Sequence, residues 1–218
     1  MIRPALVLRP PPGDAKTAER LAAANIPVIR MPLFAIVPVP WAVPEDEFDA
    51  LLLTSANAAR HAGAALRLPT IAVGEATADA ARHAGYNVVA VGDGDAAAAL
   101  MLAHERGWRR VIRLAGRERT PLDGVTDAVV YASKARPVPP DALWIAEGAV
   151  ALLHSTRAAR RFADLVDRDA VARDTVRLAA ISAKVAAAAG TGWAGVAIAA
   201  APDDGALVRA AAILAIDP

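Results

Sequence analysis

The 218-residue sequence contains no cysteine, which excludes disulfide scaffolds, thiolate nucleophiles, zinc knuckles and cysteine-ligated iron–sulfur clusters. It lacks an excess of either charge. With 24 Lys plus Arg against 23 Asp plus Glu, the net charge is +1, so there is no basic field to hold a nucleic-acid backbone, and no nucleic-acid partner is expected. Lysine is scarce, at 3 residues against 21 arginines, a bias that reads as genome composition rather than function. No Gly-Lys-Ser/Thr phosphate loop occurs. The four histidines, His61, His83, His104 and His154, lack metal-ligand spacing, and no metal is expected. Aromatic residues make up 4% of the chain although 56% is hydrophobic; the excess is alanine, about a quarter of all residues.

Long hydrophobic runs are also missing. The N-terminal stretch 1–10 is apolar until Arg9-Pro10 interrupts it, too short for a signal-peptide core and readable as a first strand. The segment 178–202 has the length of a membrane span, but its apolar residues are mostly alanine, Lys184 intrudes, and Gly190-Thr191-Gly192 breaks it in two. A cytoplasmic protein without membrane contact is expected, and absence of cysteine fits a reducing compartment.

What is present is an alternation of short apolar runs and Ala-rich helical stretches. Candidate strands are 6–8, 28–31, 50–53, 71–73, 88–91, 111–114, 150–153, 179–181 and 196–199; candidate helices include 15–24, 56–65, 77–84 and 95–106. Continuous apolar strands imply burial on both faces, hence an α/β fold with parallel sheets covered by helices. Two proline-punctuated stretches, 28–40 and 125–140, hold little that forms a helix. If they connect two lobes, the first lobe is discontinuous, comprising 1–34 plus 138–218, the second is 41–124, and 35–40 with 125–137 are the connecting strands. An internal repeat supports two related lobes: LLLTSANAAR at 51–60 returns as ALLHSTRAAR at 151–160, with six of ten positions identical. A second strand and helix follow each copy.

Ligands in such sheets bind beyond the carboxyl ends of the strands, where turns present N–H groups at helix N-termini. Arg9, Thr54-Ser55, Gly74 to Thr77, Gly92 to Asp95, Gly116, Ser155-Thr156 and Ser182 to Lys184 lie at such ends. Singly, each Ser or Thr reads as a helix N-cap; together they suggest a cleft that binds anions through N–H groups. The turn 92–97, GDGDAA, matches the loose dinucleotide fingerprint, but its two aspartates would repel a pyrophosphate and no second Gly-rich turn accompanies it. His154 adjoins Ser155, yet neighbouring strand residues point to opposite faces, which disfavours a nucleophile–base pair. The acidic run Glu45-Asp46-Glu47, directly after Pro44, reads as a solvated helix start. Tyr131, one of two tyrosines, is either a half-buried strand residue or a phenol able to donate a hydrogen bond or proton without carrying charge at pH 7.

These residues in this order resemble the uroporphyrinogen-III synthase family of tetrapyrrole biosynthesis. The similarity runs through Leu8-Arg9-Pro10, the stretch 53–58, Ile71-Ala72-Val73-Gly74 with Thr77-Ala78, Leu114-Ala115-Gly116 with Arg119, Val130-Tyr131, Ser155, and Ile181-Ser182. It implies two α/β lobes joined by a two-stranded connector, with the substrate in the cleft between them. It further implies a cofactor-free lyase reaction in heme biosynthesis. Hydroxymethylbilane loses its terminal hydroxyl and closes through a spiro intermediate with inversion of ring D, giving uroporphyrinogen III. By the same resemblance Tyr131 assists departure of the hydroxyl. Ser55, Thr77 and Ser155 with neighbouring N–H groups, including the turns at Gly74, Gly116 and Ser182, hold acetate and propionate arms. Arg9 is a further anion partner. The chain departs from the family at Leu8 and His154, each in place of a common Thr, and at 182–185, where SAKV replaces a Gly and Thr pattern and Lys184 is offered as a carboxylate contact. The chain is expected to act as a monomer on this small-molecule substrate. Two other classes have sequence support: a non-catalytic two-lobed binding protein for a small anionic metabolite, and a nucleotide-dependent enzyme using the turn 92–97.

Overall fold

A computed structural model describes residues 2–63 and 66–216. Each apolar run becomes a strand and each Ala-rich stretch a helix. In chain order they are β1 (Ala5–Val7), α1 (Gly13–Ala23), β2 (Val28–Arg30), β3 (Phe34–Pro38), β4 (Ala50–Leu53), α2 (Ala56–Ala62), β5 (Pro69–Val73), α3 (Glu75–His83) and β6 (Asn87–Gly92). There follow α4 (Ala96–Glu105), β7 (Val111–Gly116), β8 (Val125–Ala135), β9 (Val150–Leu153), α5 (Thr156–Arg168), β10 (Arg177–Ala180), α6 (Ala183–Ala188), β11 (Gly195–Ile198) and α7 (Asp204–Ala215). The last two residues of the expected helix 56–65 lie outside the described residues. The segment 178–202 is strand, helix and strand, and no helix among the described residues is long and apolar enough to cross a membrane.

The chain forms two compact units, Met1–Ala35 with Ala135–Pro218, and Ile36–Lys134. The first holds a five-stranded sheet in the order β11-β10-β9-β1-β2, every pair parallel. Its strand residues are shared between two cores, one on each face. Leu6, Leu8, Ala151, Leu153, Leu178 and Ala180 pack with Phe162 of α5 and Val185 of α6. Ala5, Val7, Val150, Leu152 and Ala179 pack with Leu21 of α1 and Leu207 of α7. Burial of both faces is what continuous apolar strands require.

The second unit holds the sheet β3-β8-β7-β4-β5-β6, in which β8 through β6 are parallel. Leu51, Leu53, Ile112 and Leu114 face α2 and α3, while Leu52, Ile71 and Val111 face α4. Substituting β4 for β9, β5 for β10, β6 for β11, β7 for β1 and β8 for β2 turns the first strand order into that of the second sheet without its edge strand β3. The repeat at 51–60 and 151–160 is therefore the same strand–turn–helix unit, β4-α2 and β9-α5. The two units are circular permutations of one topology.

The acidic run 45–47 is a correction. It forms no helix; the chain enters β4 at Ala50, leaving no apolar periodic stretch for a helix to bury. Its neighbour Asp49 instead accepts the Arg109 and Arg110 N–H groups at 2.9 and 2.8 Å, while Glu47 and Asp49 pair with the Arg110 guanidinium, each at 3.0 Å. Backbone hydrogen bonds from Arg110 and Arg109, with the Arg110 side chain, hold the Asp49 carboxyl down to about 2. The run anchors the entry to β7.

Candidate functional site

In each sheet one pair of neighbouring strands marks the point where the chain reverses its direction of winding: β4 and β7 in the second unit, β1 and β9 in the first. The turns after these strands leave in opposite directions, the usual ligand position of open α/β sheets.

At the β4/β7 point stand Ser55, Gly116 and Tyr131. Ser55 is the N-cap of α2, and its Oγ accepts the Asn57 N–H at 3.1 Å. The same oxygen accepts the Tyr131 phenol O–H at 3.1 Å. A serine hydroxyl has two acceptor sites and one proton, so with both acceptor sites filled its proton is left to donate to a ligand. Tyr131 is half-buried and reaches this position because the β7–β8 register shifts between Ala115 and Gly116, pairing Gly116 with Tyr131. A Cβ on Gly116 would lie 2.6 Å from the tyrosine Cζ, so only glycine leaves room for the ring. The Arg117 N–H donates to the Tyr131 carbonyl at 2.9 Å, and the His61 ring lies 6.4 Å from the Tyr131 ring, tilted by 36°.

The loop after Gly116 is tied down by charge. Arg113, 2% exposed, places its Nε and Nη2 on the two oxygens of Asp127 at 2.6 and 2.8 Å and Nη1 on the Thr120 carbonyl at 3.2 Å. Arg119 also donates to Asp127, at 2.6 Å, and its Nη1 reaches the Gly116 carbonyl at 3.5 Å. Burial works to raise the Asp127 pKa, but the two guanidiniums prevail and hold it below the usual carboxylate value. Arg119 thus fixes the turn against which Tyr131 packs.

Gly74 and Thr77 occupy the neighbouring β5–α3 turn. Gly74 caps α3 at φ +74° and donates its N–H to the Gly92 carbonyl at 2.7 Å. Thr77 is not a cap: it lies within the first turn of α3 and is buried. The fingerprint turn 92–97 is closed by its own aspartate, since Asp95 caps α4 by accepting the Ala98 N–H at 2.9 Å. The carboxylate sits where a pyrophosphate would have to bind.

At the β1/β9 point the cluster is built on Asp204, which the sequence did not single out. Its Oδ1 accepts from Arg9 Nη1 at 3.0 Å, Thr17 Oγ1 at 2.6 Å and His154 Nε2 at 2.8 Å, and Arg20 pairs with Oδ2. Gly13 permits this, because a Cβ there would fall 2.5 Å from Arg9 Nε. Burial opposes ionisation of Asp204, but hydrogen bonds from His154, Thr17 and Arg20 outweigh it and keep the carboxyl far below its usual value. Burial pushes the His154 pKa down, aided by Arg9 and opposed by Asp204; the ring is neutral at pH 7 and donates Nε2–H to the carboxylate. Asp203 takes the N-cap role for α7, accepting the Ala206 N–H at 2.8 Å, and so leaves Asp204 free for this cluster. A local hint existed in the Asp203-Asp204-Gly205 turn, but its partner Arg9 is 195 residues away.

Ser155 and Ser182 are the N-caps of α5 and α6, accepting from Ala158 at 3.2 Å and Val185 at 3.4 Å. Lys184 is exposed in the first turn of α6. Among the described residues no cluster of His, Asp and Glu has the makings of a metal site.

A family model described as uroporphyrinogen-III synthase HemD matches residues 15–209. No curated protein matches the sequence closely enough to count. Among solved structures, the uroporphyrinogen-III synthetase of Helicobacter pylori 26695 is similar over 98% of this chain and 100% of that one, at 16% identity and a TM-score of 0.66, and so shares the fold. The uroporphyrinogen-III synthase of the extremely thermophilic bacterium Thermus thermophilus matches over 96% of each chain at 17% identity, with a TM-score of 0.41.

Proposed function

The chain belongs to the uroporphyrinogen-III synthase family, and from that premise we propose that Tyr131 is the group that helps hydroxymethylbilane lose its terminal hydroxyl before ring closure with inversion of ring D. The phenol donates to Ser55 Oγ at 3.1 Å beside Gly116, and that observation carries the assignment. When substrate binds, the phenol exchanges Ser55 for the leaving oxygen. Its hydrogen bond or proton assists cleavage of the C–O bond, and the oxygen departs as water. A phenol suits this because it donates while neutral.

The remaining residues position a polyanion. The Ser55 proton and the N–H groups at the starts of α2, α5 and α6 hold acetate and propionate arms, with Ser155 and Ser182 aligning those N–H groups as caps. Lys184, exposed beside Ser182, adds a cationic contact. Arg9 is oriented by Asp204, with donors besides the paired Nη1 for a carboxylate. Gly74 and Thr77 set the β5–α3 turn, and Gly116 seats the phenol. Closing a linear tetrapyrrole with the correct ring facing inward is a problem of positioning more than of strong acid or base. The reading needs no cofactor and carries the expectation of a cytoplasmic monomer. Its test is Tyr131→Phe in a coupled assay: loss of type III product with the fold retained supports the assignment, and wild-type turnover refutes it.

A further inference from the structure

His61 lies on α2, the helix whose N-cap Ser55 accepts the Tyr131 phenol. Helical spacing puts Ala58, Ala59 and Ala62 in the core and leaves Asn57 and His61, one turn apart, half-buried along the flank of that face. The Tyr131 ring packs against the same core from β8. The His61 ring is its neighbour, with centroids 6.4 Å apart and planes tilted by 36°. The phenol is thus bounded by Gly116 on β7, by Ser55 at the start of α2 and by an imidazole on the second turn of that helix.

Packing alone does not call for a histidine at this position. A phenylalanine or leucine would cover the Tyr131 ring as well, whereas an imidazole brings two polar nitrogens that burial penalises unless they are bonded. His83 and His154 each set a ring nitrogen against a protein oxygen, the Asp79 carbonyl at 2.7 Å and Asp204 Oδ1 at 2.8 Å. His61 makes no hydrogen bond or ion pair with another described residue, and unlike His154 Nδ1 its nitrogens are not buried. The charged groups around it are engaged with one another. Arg60 donates to Asn57 Oδ1 at 3.3 Å, Arg82 of α3 pairs with Glu75 and Asp79, and Arg113 of β7 is held by Asp127. His61 therefore presents an N–H without a protein acceptor beside the group that acts on the leaving oxygen.

We propose that His61 is a substrate-contacting residue that donates its N–H to a carboxylate arm of the pyrrole ring from which the hydroxyl departs. The inference rests on the reading that Tyr131 acts at that hydroxyl. The arms of the reacting ring are attached a few bonds from the leaving oxygen, so a donor one ring away from the phenol lies within their reach. A carboxylate bonded to His61 fixes the orientation of the reacting ring while the phenol, released from Ser55, addresses the oxygen. Even a neutral imidazole supplies one such donor, and its hydrogen bond to an ionised acceptor is about twice as strong as one between neutral groups.

Two substitutions separate the properties of the imidazole: His61→Phe keeps a ring against Tyr131 and removes the N–H, while His61→Gln removes the ring and keeps an N–H donor. His83→Phe, at an exposed histidine of α3, is the control for loss of a histidine elsewhere. Thermal melts confirm that the variants are folded, and His61→Leu replaces His61→Phe if the latter is not. Two readouts are taken: KM and kcat for hydroxymethylbilane in the coupled assay, and binding of uroporphyrin III, a stable octacarboxylate, by fluorescence. The contact predicts that in His61→Phe KM rises and uroporphyrin affinity falls by about tenfold with kcat nearly unchanged, whereas His61→Gln stays within about threefold of wild type on both. KM and affinity within about twofold of wild type in His61→Phe overturn it. So does a fall in kcat alone, which would make the ring a support for Tyr131, and so does a His61→Gln that binds more weakly than His61→Phe. If Tyr131→Phe turns over like wild type, or wild type yields no type III product, the reading of the phenol or of the synthase fails. Uroporphyrin binding then still decides His61: a loss of about tenfold in His61→Phe beside wild-type affinity in His83→Phe supports the contact, and no loss overturns it.

Discussion

The ring of Tyr131 occupies the space that a side chain at Gly116 would fill, with a Cβ there only 2.6 Å from the ring's Cζ. Gly116→Ala must therefore push the phenol away from Ser55 or open the β7–β8 edge. We expect type III formation to drop at least about tenfold, with a stability loss of about 1–3 kcal/mol typical of overpacking. Isomer analysis beside a urea titration checks both. Wild-type activity in this variant would show that the seat of the ring does not matter to the reaction.

Tyr131→Phe keeps the ring and removes only the hydroxyl bonded to Ser55. Loss of a general acid lowers turnover by about 10²–10⁴-fold, whereas stability should change by about 1 kcal/mol or less for one partly exposed hydrogen bond. A kcat within threefold of wild type would remove the phenol from the chemistry.

Much of the fold is legible in the sequence because a parallel sheet buried on both faces needs continuous apolar runs, and runs such as 50–53 and 150–153 have no other reading. The repeat at 51–60 and 151–160 also announced two units of one topology. The capping reading holds for Ser55, Ser155 and Ser182, each of which accepts an N–H of its own helix; it fails for Thr54, which precedes the cap of α2, and for Thr77 and Thr156, which lie inside α3 and α5. What the sequence hides is long-range. Nothing local to Asp204 tells that Arg9, Thr17 and His154 converge on it, and the register shift that pairs Gly116 with Tyr131 is a property of two strands together. The acidic run 45–47 forms no helix because helix-start preferences are local, and the strand beginning at Ala50 outweighs them.

Asp204→Asn should destabilise the first unit by about 2–3 kcal/mol, because it leaves the buried donors around it without a carboxylate. The Asp204 pKa is lowered on folding, so its contribution is full above the unfolded value near 3.8 and is lost as pH falls toward the folded one. The gap between wild type and variant in chemical denaturation should thus be full at pH 7 and narrow below about pH 4. A gap that is absent at pH 7 would mean that the cluster does not hold the fold.

His154 adds a second pH dependence with its own window. Burial lowers its pKa from the usual 6.5, so the unfolded chain takes up the proton first and stability falls as pH drops below about 6.5. The slope ends once pH passes the folded value. His154→Gln should flatten the stability curve in that range while leaving the acid limb at Asp204 in place. An unchanged curve between pH 5 and 7 would exclude a buried neutral imidazole.

The most direct measurement generates hydroxymethylbilane in place, adds this protein, oxidises the products and separates the type I and type III porphyrin isomers by chromatography. The account predicts predominantly type III isomer, absent without the protein and strongly reduced in Tyr131→Phe. Type I alone, the product of unassisted closure, from protein shown to be folded, would contradict it.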